Sequence, residues 1–245
     1  MASKRPGEAW GIIPARGGSK TIPLKNLVML AGRPLVDYVV LAGQASKALS
    51  RIICSTEHPQ IAAECHRMNI EIHRRPESLC QDDTPVVDVL SHLLDDMESN
   101  GQALPEIIAL LQPTSPFVLP EDIDTAVALL RADRRADSVQ TLCAFPHNYH
   151  AYNQRVVEDG LVRFRFPAER QECHNKQRKP TFYIFGNLVA ARVRTIREQK
   201  DVFGARSLSK IIPDAYAVDV DGPEDLKKAE WFLASGHVVL PHLGA

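Results

Sequence analysis

Short apolar runs alternate with longer amphipathic ones along most of this chain, and that alternation limits its possible folds more than any other feature. Trp10–Ile13, Arg51–Ser55, Ile70–His73, Glu106–Leu111 and Ser138–Ala144 read as strands. Between them, Pro34–Leu49, Pro59–Met68, Val86–Met97 and Pro120–Leu130 carry helical spacing. In the first of these helices, Leu35, Tyr38, Val39 and Ala42 share a face. The run EIIALL at 106–111 is apolar almost throughout, as in a strand buried on both faces. Alternation of this kind predicts an α/β fold with a mostly parallel central sheet and helices on both faces. The length suits a single domain over 1–245.

After Ala144 the pattern breaks. From about 145 to 180 the chain is rich in His, Arg, Asn and Gln, and a hairpin is expected over Val156–Phe166, turned at Glu158-Asp159-Gly160. This segment reads as an excursion from the core. The pattern resumes with Tyr216–Val220 as a strand and a helix running from Gly222-Pro223-Glu224-Asp225 to about Ala234, with proline and acids in the first turn.

Composition removes several classes of function. Lys and Arg number 29 against 30 Asp and Glu, a formal charge of -1, so nothing favours a nucleic-acid partner. No stretch approaches the apolar length of a membrane span, and MASKRPGEAW lacks the apolar core of a signal peptide. A cytoplasmic protein without membrane contact is expected. The five cysteines are odd in number and far apart, which predicts neither a disulfide framework nor a structural zinc site.

Three segments fall at strand ends on one expected sheet edge. The first, IIPARGGSKTIPLKN at 12–26, follows a strand directly, where ligands of open α/β folds bind. Gly17 and Gly18 would let successive N–H groups turn toward one concavity, with Arg16, Ser19, Lys20 and Lys25 supplying charge and a hydroxyl around it. It is neither a P-loop nor G-x-G-x-x-G, and a solvated glycine turn is the competing reading. In the second segment, LQPTSPF at 111–117, Gln112, Thr114 and Ser115 are held in place by two prolines, Pro113 and Pro116. The segment reads either as a polar clamp or as a lead into the next helix. In the third, AVDVDGPEDL at 217–226, Asp219 and Asp221 sit two apart on an expected strand, so both carboxylates face one side and suit Mg²⁺. A turn residue beside a strand-edge charge is the alternative. Taken together, a cationic loop, a polar clamp and a carboxylate pair on one edge suit nucleotide–Mg²⁺ chemistry.

With ARGGSKTIPLKN, RRPESLCQDDTP, LQPTSPF and DVDGPEDL in this order and spacing, the chain resembles the acylneuraminate cytidylyltransferases, or CMP-sialic acid synthetases, which are relatives of CMP-Kdo synthetase. The resemblance runs from about Ile12 to Leu226. It implies a Rossmann-like nucleotide-diphospho-sugar transferase fold whose excursion serves dimerisation, hence a homodimer. The implied reaction joins CTP to a 2-keto sugar acid through attack of the anomeric hydroxyl on the α-phosphorus, with pyrophosphate leaving and Mg²⁺ as cofactor. By the same resemblance, Arg16 and Lys25 neutralise charge on the α-phosphate and leaving group. Gly17, Gly18, Ser19, Asn26 and Arg75 hold the nucleotide, Gln112, Thr114 and Ser115 bind the sugar acid, and Asp219 and Asp221 hold the metal or take the attacking hydroxyl's proton.

The departures from the family pattern fall on the acceptor side. Phe117-Val118 stands where many members have Leu-Arg, and Val86-Val87 follows Asp83-Thr84-Pro85 where a hydroxyl residue is common. Tyr183-Ile184-Phe185-Gly186-Asn187-Leu188-Val189-Ala190 stands where the pattern is Tyr-x-x-Asn-Gly-Ala-Ile-Tyr. With Tyr183 and Asn187 as sugar contacts, these changes point to an acceptor other than N-acetylneuraminate, such as a legionaminic- or pseudaminic-type acid. His147, Tyr149, His150, Tyr152 and His174 could line a sugar pocket or a polar dimer seam. Kdo as acceptor and a non-catalytic binding relative are the remaining readings; retention of Arg16, Lys25, Asp219 and Asp221 argues against the latter.

Overall fold

The computed structural model describes residues 7–145, 147–173 and 178–244. Eleven strands occur among them: β1 (Ala9–Pro14), β2 (Met29–Leu30), β3 (Arg33–Pro34), β4 (Arg51–Thr56), β5 (Glu71–Arg74), β6 (Ile107–Leu110), β7 (Ser138–Ala144), β8 (Arg155–Glu158), β9 (Leu161–Phe164), β10 (Tyr183–Arg192) and β11 (Ser207–Ile211). The α-helices are α1 (Leu35–Ala45), α2 (Pro59–Arg67), α3 (Val86–Ser99), α4 (Pro120–Ala132), α5 (Pro167–Glu172) and α6 (Pro223–Ala234).

Seven strands form the central sheet in the order β11-β7-β10-β6-β1-β4-β5. All pairs are parallel except those made by β10, which runs antiparallel to both β6 and β7. Alternation along β1 explains the layers. Ala9 and Ile13 join a core with Val36, Val40, Ile61 and Val127 of α1, α2 and α4, while Trp10 and Ile12 face Leu90, Leu93 and Leu94 of α3. A third cluster, with Leu30, Tyr38, Phe117, Val218 and Val220, closes the carboxyl edge under α6.

The expected strands and helices along the first 144 residues are found, with modest changes at their ends. The first helix stops at Ala45 instead of Leu49, because Asp124 Oδ1 captures the Ser46 hydroxyl at 2.6 Å and the Ala48 N–H at 3.0 Å. Tyr216–Val220 is not a strand. A 3-10 turn at Asp214–Tyr216 is followed by irregular chain, and the Val220 N–H bonds across to Thr114 O at 2.7 Å. The chemistry of the third motif therefore sits on a loop latched to the second. The excursion holds the expected hairpin as β8 and β9, paired from Arg155↔Phe164 to Glu158↔Leu161 around Asp159 and Gly160. No helix among the described residues is long and apolar enough to cross a membrane.

Candidate active site

β1 ends at Pro14 and β6 at Leu110, neighbours in the sheet, so the loops that follow them leave the same edge side by side. Arg16, Gly18, Ser19, Lys25 and Asn26 from the first loop meet Gln112 and Thr114 from the second around one cavity of about 210 Å³. The loop is folded back on itself by Asn26, whose buried carboxamide donates to Arg16 O at 2.8 Å. A tight turn then aims Lys25 inward, with Leu24 in the left-handed region at φ 49°.

Each cation of this loop is matched by an acid. Arg16 Nη1 lies 2.6 Å from Asp82 Oδ1, and Lys20 Nζ lies 2.5 Å from Asp82 Oδ2. Lys20 and then Arg16 hold the Asp82 carboxyl below its usual range by hydrogen bonding to its charged form. Lys25 Nζ is 3.0 Å from Asp221 Oδ1; the lysine side chain is 15% exposed and the aspartate 75%. Any polyanion arriving at this cavity would have to take these cations over from carboxylates. Asp82→Asn is expected to free Arg16 and Lys20 and lower the KM for a nucleotide triphosphate by up to about fivefold, the range of an exposed ion pair. Initial-rate kinetics check this, and an unchanged or raised KM counts against it.

Asp219 and Asp221 lie on the latched loop, with Thr21 Oγ1 donating to Asp221 O at 2.5 Å. Asp225 Oδ2 accepts the Asp221 and Gly222 N–H groups at 3.1 and 2.9 Å, fixing the entry to α6. Asp219 keeps an open face to solvent, yet the protein around it removes enough hydration to raise its carboxyl pKa. The Asp221 charge adds to that rise, while the Thr114 hydroxyl and Lys25 oppose it.

The family model described as Cytidylyltransferase matches residues 10–232, a span that takes in both loops and both carboxylates. The chain belongs to the cytidylyltransferase family. An N-acylneuraminate cytidylyltransferase A from Danio rerio is 34% identical over 149 residues, covering 61% of this chain and 32% of that one. A CMP-N,N'-diacetyllegionaminic acid synthase from Legionella pneumophila is 28% identical over 218 residues, covering 87% of this chain and 91% of that one. An Escherichia coli N-acylneuraminate cytidylyltransferase is 28% identical over 221 residues, covering 89% and 50%. The chain thus spans a third to a half of the acylneuraminate relatives and nearly all of the Legionella one. Among solved structures, a CMP:2-keto-3-deoxy-manno-octonic acid synthetase complexed with CTP superposes with a TM-score of 0.71 at 17% identity, covering 94% of this chain and 99% of that one. That likeness shows the fold.

Within this cytidylyltransferase domain, several expected contacts take other roles. The Gly17 N–H points to Glu57 Oε1 at 2.6 Å, so the two glycines do not turn a pair of N–H groups to one concavity. Gly17 is needed for closeness, since a Cβ there would stand 2.5 Å from the His58 ring, whereas a Cβ at Gly18 would meet nothing within 4 Å. Arg75 is buried, its Nε 3.3 Å from Glu57 Oε2, and its Nε and Nη2 lack hydrogen-bond partners. A buried guanidinium with unmade bonds is costly, and a ligand acceptor would relieve it. Burial raises the Glu57 pKa, but the Gly17 N–H, the Cys80 thiol and Arg75 outweigh it and bring the carboxyl below its usual range.

Of the residues expected to bind a sugar acid, Gln112 and Thr114 line the cavity, while Ser115 is buried and its N–H closes a turn to Gln112 O at 2.9 Å. Phe117 and Val118 are wholly buried, so the position where many members carry a cation belongs to the core here. Tyr183, 47% exposed, starts β10 at the carboxyl ends of its neighbours. Asn187 is 0% exposed with its carboxamide bonded to protein, which corrects its expected place as a sugar contact. In the excursion, His150 stacks on Phe182 with ring centroids 4.5 Å apart, and Tyr152 packs edge-on to both rings. His150 Nε2 lies 3.0 Å from Pro180 O, and Nδ1 accepts the Tyr152 N–H at 3.2 Å. These two residues form a small local core. The exposed Tyr149 stands beside it, and His174 and the His147 side chain lie outside what the structure describes.

Sequence reasoning passed over Asp82, Glu57 and Thr21, the partners that hold the loop in place. The two adjacent acids in QDDTP, a few residues after the cationic RRPESL, were the signal for Asp82.

Proposed function

We propose that this chain transfers CMP from CTP to the anomeric hydroxyl of a sialic-acid-like 2-keto sugar acid, releasing pyrophosphate. The observation that carries the reading is the Lys25–Asp221 contact, which brings the cationic loop and the carboxylate loop to one cavity edge. In this scheme the anomeric oxygen bonds to the α-phosphorus and the α-phosphorus bond to the pyrophosphate oxygen breaks. The hydroxyl proton passes to a carboxylate of the Asp219–Asp221 pair. Arg16 and Lys25 oppose the negative charge that builds on the α-phosphate and on the leaving group. Gly18, Ser19 and Asn26 border the phosphates, Arg75 offers its unmade bonds to the nucleotide, and Gln112 and Thr114 face the acceptor.

Asp219 and Asp221 supply hard oxygen donors, and they are close enough for the charge of one to raise the pKa of the other. Among the described residues no group of three or more His, Cys, Asp or Glu forms a metal cage. Two carboxylates fit Mg²⁺, which retains waters and shares substrate phosphate oxygens. Bound there, Mg²⁺ would offset triphosphate charge and polarise the α-phosphoryl group.

Similarity over nearly the full length of the Legionella synthase supports a nonulosonic acid of the sialic or legionaminic type over Kdo. Pyrophosphate release measured with CTP, UTP, ATP and GTP against a panel of such acids tests the reading. Turnover with CTP and a nonulosonic acid is expected; CTP binding without turnover on any acid would favour a non-catalytic relative. A homodimer completes the proposal, supported by Val157, Leu161 and Val162 of the β8–β9 hairpin, which are 70%, 58% and 65% exposed. Sedimentation should give twice the monomer mass, and Val157→Asp with Val162→Asp should shift it toward one; a wild-type monomer contradicts this part.

A further inference from the structure

The pairing of β10 with β7 jumps from Phe185↔Leu142 to Val189↔Gln140, leaving Gly186, Asn187 and Leu188 opposite Thr141 alone. Such a bulge strands backbone donors, and Thr141 satisfies them. Its hydroxyl accepts the Asn187 and Leu188 N–H groups, each at 2.9 Å, and stands 3.0 Å from Asn187 Oδ1, to which it can donate. Gly186 makes this approach possible, since a Cβ there would lie 2.7 Å from Thr141 Oγ1 and 2.9 Å from Ile212 Cδ1.

Fixed in this way, the Asn187 carboxamide turns its two donors outward from the sheet. Nδ2 donates to Phe117 O at 3.2 Å and to Tyr216 O at 3.0 Å. Phe117 lies in the loop that presents Gln112 and Thr114, and Tyr216 closes the 3-10 turn from which the loop with Asp219 and Asp221 continues. One buried side chain thus ties both walls of the acceptor side to the sheet, while the Val220 N–H to Thr114 O bond joins the walls directly.

We infer that Asn187 is a positioning residue that sets the separation of the acceptor clamp and the carboxylate pair, with Gly186 and Thr141 as the seat that fixes its carboxamide. It touches no substrate. The cationic loop at 15–26 receives no bond from it and meets the joint only through the contacts of Lys25 and Thr21 with Asp221, so the nucleotide phosphate contacts should change less than the acceptor side. The Gly-Asn order in this chain is accordingly a packing requirement of its bulge. The inference rests on the proposed function for its kinetic consequences and on geometry alone for its structural ones.

The test compares Asn187→Leu, which keeps bulk and removes both donors, and Gly186→Ala, which displaces Thr141, with the full-length wild type. Expected for each is a rise of about tenfold in the Mg²⁺ concentration for half-maximal rate and in the KM for the sugar acid, with the KM for CTP within about twofold. A residue with only a folding role would lower the active fraction and leave all three constants unchanged, and that result overturns the inference. Hydrogen exchange supplies the readout that needs no turnover. Backbone amides of 114–118 and 216–221 should gain exchange together in the variants. In wild type, the Asn187 side-chain amide protons should be protected in NMR; rapid exchange there overturns the joint even if no variant folds. A wild type without transferase activity, but with protected Asn187 protons, would overturn the proposed function and leave the joint standing.

Discussion

Replacing Lys25 with alanine is expected to lower kcat by about 10²–10³-fold, the loss seen when one preorganised donor to a developing anion is removed. The Lys25 side chain is largely enclosed and sits 3.0 Å from Asp221, so it is held in the cavity before any phosphate arrives. Its truncation removes the cation nearest to the carboxylate pair and leaves Asp219 and Asp221 with uncompensated repulsion. The KM for CTP should change far less than kcat, because Arg16 still offers charge to the ground-state phosphates. Steady-state kinetics with saturating Mg²⁺ decide the matter, and a variant with undiminished kcat would remove Lys25 from the mechanism.

Loss of Asp221 should be comparable in size but different in kind. Asp221→Ala removes a carboxylate of the metal pair and the partner of Lys25, and activity should fall by at least about 10²-fold, with added Mg²⁺ restoring only part of it. Asp219 separates function from stability. Its folded-state pKa is raised, so its ionised form is disfavoured by folding. The stability it contributes is fully present below the unfolded pKa of about 3.9 and is lost as pH rises through the folded value. Asp219→Asn should therefore raise Tm at neutral pH in the absence of metal, lose that gain near pH 4, and abolish most turnover. Proton and Mg²⁺ compete for the same carboxylate, so the acid limb of the rate profile should move to lower pH as Mg²⁺ increases. An acid limb that stays fixed across Mg²⁺ concentrations would show that Asp219 does not bind the ion.

Where periodicity is strong, the fold is legible in the sequence. The β1-α1-β4-α2-β5 and α3-β6-α4-β7 stretches announce themselves by alternating apolar faces, and the sheet edge that gathers the loops follows from their order. β10 was harder to read because its central Gly-Asn looks like a turn, whereas Thr141 supplies the bonds that let those residues interrupt a strand. β11 is a short edge strand whose pattern is not distinct from loop, and only its pairing with β7 defines it. Tyr216–Val220 misled in the opposite direction: its alternation comes from Val218 and Val220 packing with Phe117 and Leu30 beneath α6, outside any ladder.

The site divides in the same way. Arg16 could be expected at the sheet edge because it closely follows the end of β1, whereas Asp219 and Asp221, expected on a strand, reach the same edge on a loop latched to Thr114. The long-range partners could not be located from sequence, since Asp82 meets Arg16 across 66 positions and Asn187 meets Phe117 across 70, distances at which local pattern carries no information. Ser115 and Asn187 were expected at the ligand from the family resemblance. Asn187 is buried and bonds two loops instead, while Ser115 is buried with its N–H closing a turn.

The most direct measurement uses CTP labelled with ³²P at the α or the γ position, incubated with the full chain, Mg²⁺ and a nonulosonic acid. The α label should appear in an acid-labile sugar conjugate while the γ label leaves as pyrophosphate. Transfer of the γ label to the acid, or retention of the α label in unreacted CTP despite measurable CTP binding, would contradict the account.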